Sequence, residues 1–179
     1  MRRFLMMVSI CAIALVAWTP VSAETVDAQA AFDQLATLVG TWQGTPEGEG
    51  EEAEAEAEAS GAVTHEIEVS ANGTVVMETM NPGSPHEMIN MYHLDGEDLL
   101  LTHYCAGGNQ PRMRLNREAS KLGDLVFDFD GGTNLDPETD HYIGGAQITL
   151  SEGRLTSAWT SYGGGEKAGG MTFHLARAE

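Results

Sequence analysis

The sequence predicts an all-β fold, an antiparallel up-and-down β-barrel of about ten strands with a short N-terminal closing helix. Three observations predict it. From Thr41 onward, short segments alternate apolar and polar residues with a period of two, separated by turns rich in Gly, Asn and Asp. Trp42 opens the first of these segments and Arg177 ends the last, so an indole and a guanidinium can plug one end of a closed barrel. The helical pattern of Ala31, Phe32, Leu35, Leu38 and Val39 lies directly before Trp42, where it can cap that same end.

Residues 1–23 read as a cleavable signal peptide. Arg2 and Arg3 form a basic start, 4–18 is an apolar run, and Val21-Ser22-Ala23 is a small-residue cleavage site. The run is shorter than the roughly 20 residues that span a bilayer. Cys11 lies inside it behind bulky Ile10, which argues against a lipid anchor. The expected product is a soluble barrel domain of residues 24–179, periplasmic or extracellular, without membrane insertion.

Losing Arg2 and Arg3 takes the formal net charge from -18 to -20. Lys121 and Lys167 are the only lysines. Such a surface repels polyanions, so nucleic acid is excluded as a partner class. Cys105 is the single cysteine after processing, so no intramolecular disulfide forms despite the oxidising compartment. The sequence specifies no oligomeric state.

The helix is expected over residues 28–39, ended by Gly40. Val63, His65, Ile67 and Val69 alternate with polar residues as a half-buried strand, and Asn72-Gly73 turns it into the segment 74–80. Residues 86–94 and 99–105 form a hairpin around Asp95-Gly96-Glu97-Asp98. Further strands are expected at 112–116, 124–130, 144–150, 154–162 and 168–176. An acidic low-complexity insert at 47–59 separates the first two strands and reads as a solvated, disordered or fraying-helical loop. Asp130, Asn134, Asp136 and Asp140 miss the calcium-loop spacing and read as a polar turn.

Gly40-x-Trp42 together with Phe173-x-Leu175-x-Arg177 resembles the barrel-closing signature of the calycin group, the lipocalins and fatty-acid-binding proteins. The chain more closely resembles bacterial lipocalin-like domains of largely unknown function, often secreted. The matching stretches are Leu38-Val39-Gly40-Thr41-Trp42, Met91-Tyr92-His93-Leu94-Asp95-Gly96, Phe127-Asp128-Phe129, Asn134-Leu135, Asp140-His141 and Trp159. That group often carries a second His two residues after the one at His141; here Ile143 stands there. Gly40-Thr41-Trp42-Gln43-Gly44 is also similar to nitrobindin-like barrels, a resemblance that implies a haem held by a C-terminal His such as His174. Strand alternation opposes it, because Phe173, Leu175 and Arg177 share a face, Arg177 is expected to point inward to cover Trp42, and His174 then points to solvent.

The resemblance implies a binding protein that holds a small, mostly apolar molecule inside the barrel. Expected interior residues are His65, Tyr92, Leu101, His103, Cys105, Phe127, Phe129 and Trp159, joined by Val63, Ile67, Val69 and Leu155. His103 and Cys105 share a strand face, and pairing of Leu94 with Leu99 brings Asn90 opposite His103 and Met88 opposite Cys105. Imidazole, thiol and thioether together suit a soft metal or an activated thiol; packing of both groups in the interior is the alternative. Glu78 is expected to be an inward carboxylate with a raised pKa and general-base work, or to pair with Arg112 or Arg114, or to face water. No Gly-x-Ser-x-Gly elbow or defensible triad occurs, so an enzyme is the minority reading and is left open. No cofactor is expected, with a metal ion or haem as the alternative; a module with a filled core is the third possibility.

Overall fold

Period-two alternation folds as the sequence analysis expects, into a closed antiparallel barrel of ten strands. The computed structural model describes residues 25–179, so the expected leader lies outside the described residues. The elements are α1 (Ala28–Ala36), β1 (Gly40–Glu49), α2 (Glu51–Ser60), β2 (Val63–Ser70), β3 (Val75–Met80), β4 (Met88–Asp95), β5 (Asp98–Tyr104), β6 (Gln110–Leu115), β7 (Asp124–Thr133), β8 (His141–Ser151), β9 (Arg154–Gly163) and β10 (Glu166–Arg177). Each strand pairs with its sequence neighbours, and β10 returns to β1, so the sheet has no free edge.

The α1 helix covers one end. Asp27 caps it by accepting the Ala30 N–H, and Ala28, Ala31, Phe32 and Leu35 turn into the core. It stops at Ala36, three residues short of the expected Val39. The carbonyls beyond it are occupied by side chains. Trp42 Nε1 donates to Leu38 O at 2.7 Å, while Arg177 donates to Val39 O at 2.7 Å and Thr37 O at 2.9 Å. Gly40 is therefore the first residue of β1 rather than a helix cap, with φ of +133°. Trp42 and Arg177 are register partners, and the guanidinium lies 4.6 Å from the indole centroid. Arg177 is exposed and covers the buried Trp42 from the solvent side, not from within the barrel.

The acidic insert also departs from expectation. Its first residues, Glu47 to Glu49, extend β1 and pair with β10, where Lys167 Nζ holds Glu49 at 2.9 Å and His174 Nε2 meets Glu47 at 3.1 Å. The rest is helix α2, which lies against β1. Gly48 makes that seat possible: a Cβ there would collide with the backbone of Ala53 and Glu54. Two expected inward positions also differ. Val69, near the end of β2, is 41% exposed. Cys105 falls just past β5, in a turn closed by Gly108 N–H to Cys105 O at 2.9 Å.

Candidate functional site at the open end of the barrel

The interior divides into two halves. Toward α1 it is filled: Leu99, Leu101, Met113, Leu125, Leu155 and Leu175 are each at most 1% exposed. A void of about 10 Å³ remains there beside Glu78, Tyr92 and Ser157, room for about one water. Toward the opposite end lies a cavity of about 270 Å³. Its wall is mainly apolar, with Met80, Met88, Ile143, Trp159, Met171 and Phe173, and it carries His86, His103 and Cys105 as well. Glu56 and Ser60 of α2 close over its rim.

A buried polar chain crosses β2 to β5 behind this wall. The register aligns Glu78 with Asn90 and Asn90 with His103, as the Leu94–Leu99 pairing requires. Glu78 Oε1 accepts from His65 Nδ1 at 2.7 Å, and its Oε2 accepts from Asn90 Nδ2 at 2.9 Å and Tyr92 OH at 3.1 Å. Asn90 Nδ2 also reaches Met80 Sδ at 3.2 Å, so both its hydrogens are spent and Oδ1 is left facing His103 Nδ1 at 2.7 Å. That fixes the His103 tautomer: Nδ1 carries the proton and Nε2 carries the lone pair. His103 Nε2 is buried and has no partner, as is His65 Nε2.

The electrostatics follow from burial and these bonds. Burial pushes the Glu78 carboxyl up, but the donors His65, Asn90 and Tyr92 outweigh it and hold its pKa below the ordinary value. Burial, with the Glu78 charge beside it, raises the Tyr92 hydroxyl well above its ordinary value. For His103, burial dominates over attraction to Glu78 and lowers its pKa to about 4. His103 is thus a neutral imidazole near pH 7, an acceptor only at Nε2.

This corrects the expectations for Glu78. It is inward, but its pKa falls instead of rising, and neither arginine reaches it. Arg112 pairs with Asp130, and Arg114 pairs with Asp98 and Asp130. Both arginines alternate with the buried Pro111, Met113 and Leu115, a parity that already directed them outward. A fully bonded carboxylate that is held ionised organises donors more readily than it takes protons from a substrate.

Of the residues expected to meet a ligand, His103, Cys105 and Trp159 line the cavity. Tyr92 lines only the small void, and His65 is fully buried with its ring 4.8 Å from Phe173. Leu101 and Phe127 are packed in the core, and the Phe129 ring lies tilted against Tyr142 with centroids 4.8 Å apart; none of the three lines the cavity. The wall residues Met80, Ile143, Met171, His86 and Glu56 were not expected. Parity from Phe173 pointed to Met171 two residues earlier. Ile143 gave no such signal, because a bulge between Ile143 and Gly145 shifts the β8 register.

The thiol sits apart from the imidazole. Cys105 Sγ accepts the Gly107 N–H at 3.3 Å, and no hydrogen bond joins it to His103. Among the described residues, no three of His, Cys, Asp and Glu converge as a metal site. His174 is half exposed and bonded to Glu47, outside the barrel. No protein-family model matches the chain, and no curated protein matches it either.

Proposed function

We propose that this chain is an exported lipocalin-like barrel that holds a small, mostly apolar molecule in the cavity at its open end. The observation that carries the reading is the pairing of an apolar cavity wall with one buried, unpartnered acceptor, His103 Nε2. Ligand sites combine these features: apolar surface supplies affinity, and a few placed polar atoms set orientation. The volume, about 270 Å³, lies at the small end for such sites. The ring of hydrogen bonds from Glu78 through Asn90 holds the His103 ring rigid without any ligand, which is the preorganisation that a binding site uses. Native mass spectrometry of protein purified from its own host tests the reading. A bound small organic molecule, lost in a Trp159→Ala or Met88→Trp variant, is the expected result; a protein that arrives empty and takes up no apolar probe would refute it.

A second reading places a soft metal ion at the same wall. His103 Nε2 and Cys105 Sγ line the cavity together with the thioethers of Met80 and Met88, a donor set that suits Cu(I). Elemental analysis with a Cu(I) titration separates the two readings, since stoichiometric copper that is lost on Cys105→Ser would favour the metal.

A further inference from the structure

Among the described residues, no Lys or Arg lines the cavity. Every described cation is committed elsewhere or remote. Arg112 and Arg114 are paired on the outer face of β6, Lys167 is paired with Glu49, and Arg117 bonds Val26 O. Arg177 serves the α1 end, and Arg154 and Lys121 lie at that end too. The rim instead carries α2, with Glu51, Glu52, Glu54, Glu56 and Glu58 and no basic residue, and Glu56 itself faces the cavity. At the inner wall His103 is held by Asn90, and its Nε2 has no partner and is closed off from solvent, so this wall offers no N–H to an anion.

From this we infer that the cavity selects neutral or cationic apolar molecules bearing a hydrogen-bond donor, such as aliphatic alcohols and amines, and rejects carboxylates of the same length. The inference rests on the small-molecule reading above and deepens it. A carboxylate is disfavoured in both orientations. Pointing inward, it would set an anionic acceptor against the Nε2 acceptor, with ionised Glu78 behind it and no cation to offset its desolvation. Pointing outward, it would sit beside Glu56 and the other α2 carboxylates, against which the lining sets only the polar side chains of His86, Asn81 and Ser60 and no Lys or Arg. A hydroxyl or an ammonium directed outward donates to the Glu56 carboxylate while its chain fills the apolar wall. This selectivity is opposite to that of a barrel built to hold fatty acids, which must supply a cation for the carboxylate.

The test uses three probes of one length, octanol, octylamine and octanoate, titrated calorimetrically into the mature protein at pH 7.5 and low salt. Octanol and octylamine should bind, and octanoate should bind at least about tenfold more weakly, about 1.4 kcal/mol. Added salt should narrow the gap between octylamine and octanoate as it screens the rim. Glu56→Lys should tighten octanoate and weaken octylamine, with octanol changed least. Octanoate binding as tightly as octanol would overturn the charge selectivity while leaving the binding reading intact. Binding of none of the three would sink the binding reading itself, and the selectivity with it. An octanoate affinity unmoved by Glu56→Lys would remove α2 from the mechanism.

Discussion

Glu78 Oε1 sits 2.7 Å from His65 Nδ1, with both side chains sealed inside the barrel. An ionised carboxylate at this depth persists only because its oxygens receive three donors, from His65, Asn90 and Tyr92. The arrangement uses four adjacent strands, and its last member presents the cavity with a neutral imidazole. The order of four strands and the protonation state of His103 are therefore joined through one carboxylate.

Replacing Glu78 with Gln should expose that dependence. The amide must turn its NH₂ toward at least one of the three donors, leaving a buried donor unpaired. We expect a loss of about 1–3 kcal/mol in urea denaturation, together with weaker binding of any His103-directed ligand. A Glu78→Gln protein as stable as wild type would show that the chain of bonds is incidental to the fold.

Acidification should weaken the fold through His103 before most carboxylates titrate. Its folded pKa of about 4 lies below the ordinary value of 6.5, so between those values the unfolded chain binds more protons. Stability attributable to His103 is fully present above pH 6.5 and lost as pH falls toward 4, by about 3 kcal/mol. Glu78, also depressed, adds a further loss as pH drops through its folded pKa. The urea midpoint of wild type minus that of His103→Gln, followed from pH 7.5 to 4, isolates the effect from surface groups common to both. A difference independent of pH would contradict the assignment.

Some of this was legible in the sequence and some was not. Alternation gave the strands because each faces a core on one side only, and the Asp95–Asp98 turn fixed the Asn90–His103 register without any structure. Two partners of Glu78, His65 and Tyr92, were not legible, because both are diagonal to it rather than directly opposed, as Asn90 is. The helical alternative for 47–59 was legible, but the seat of α2 on β1 was hidden for a different reason. Its alternating Ala and Glu produce no apolar face, so its position is set by the absence of a side chain at Gly48.

That gives Gly48→Val a specific expected outcome. The added side chain must lift α2 off β1, while the barrel ladder on either side stays paired. Cleavage by a Glu-specific protease within 51–60 should accelerate about tenfold with little change in the thermal midpoint of the barrel. Unchanged cleavage would mean that α2 is held by something other than this contact.

Arg177→Ala removes the cation stacked on Trp42 and two hydrogen bonds to Val39 O and Thr37 O. A destabilisation of about 1–3 kcal/mol is expected from chemical denaturation, with Trp42 emission shifted to the red as water reaches the indole. Gly40→Ala should act similarly, since its Cβ would come within 2.8 Å of the Arg177 guanidinium and its φ is +133°. An unshifted emission spectrum in both variants would argue that α1 alone seals this end.

Cys105 is partly exposed at the cavity wall, which makes it a reporter of occupancy. Iodoacetamide should label it in the folded protein, and saturating octanol should slow labelling severalfold, read by intact mass. Labelling that ignores octanol would place the alcohol elsewhere.

The seam between β1 and β10 ties Val39 to Arg177 across 138 residues. A chain growing from its N-terminus therefore holds β1 with one unpaired side until its last residues emerge. The closing contacts are the most distant in the sequence, and loop closure on that scale delays their formation relative to the hairpins between them. Until β10 docks, the growing sheet offers two sticky borders to any neighbouring chain. Glu47 and Glu49 lie on β1 at one of those borders, where like charges oppose the approach of a second copy.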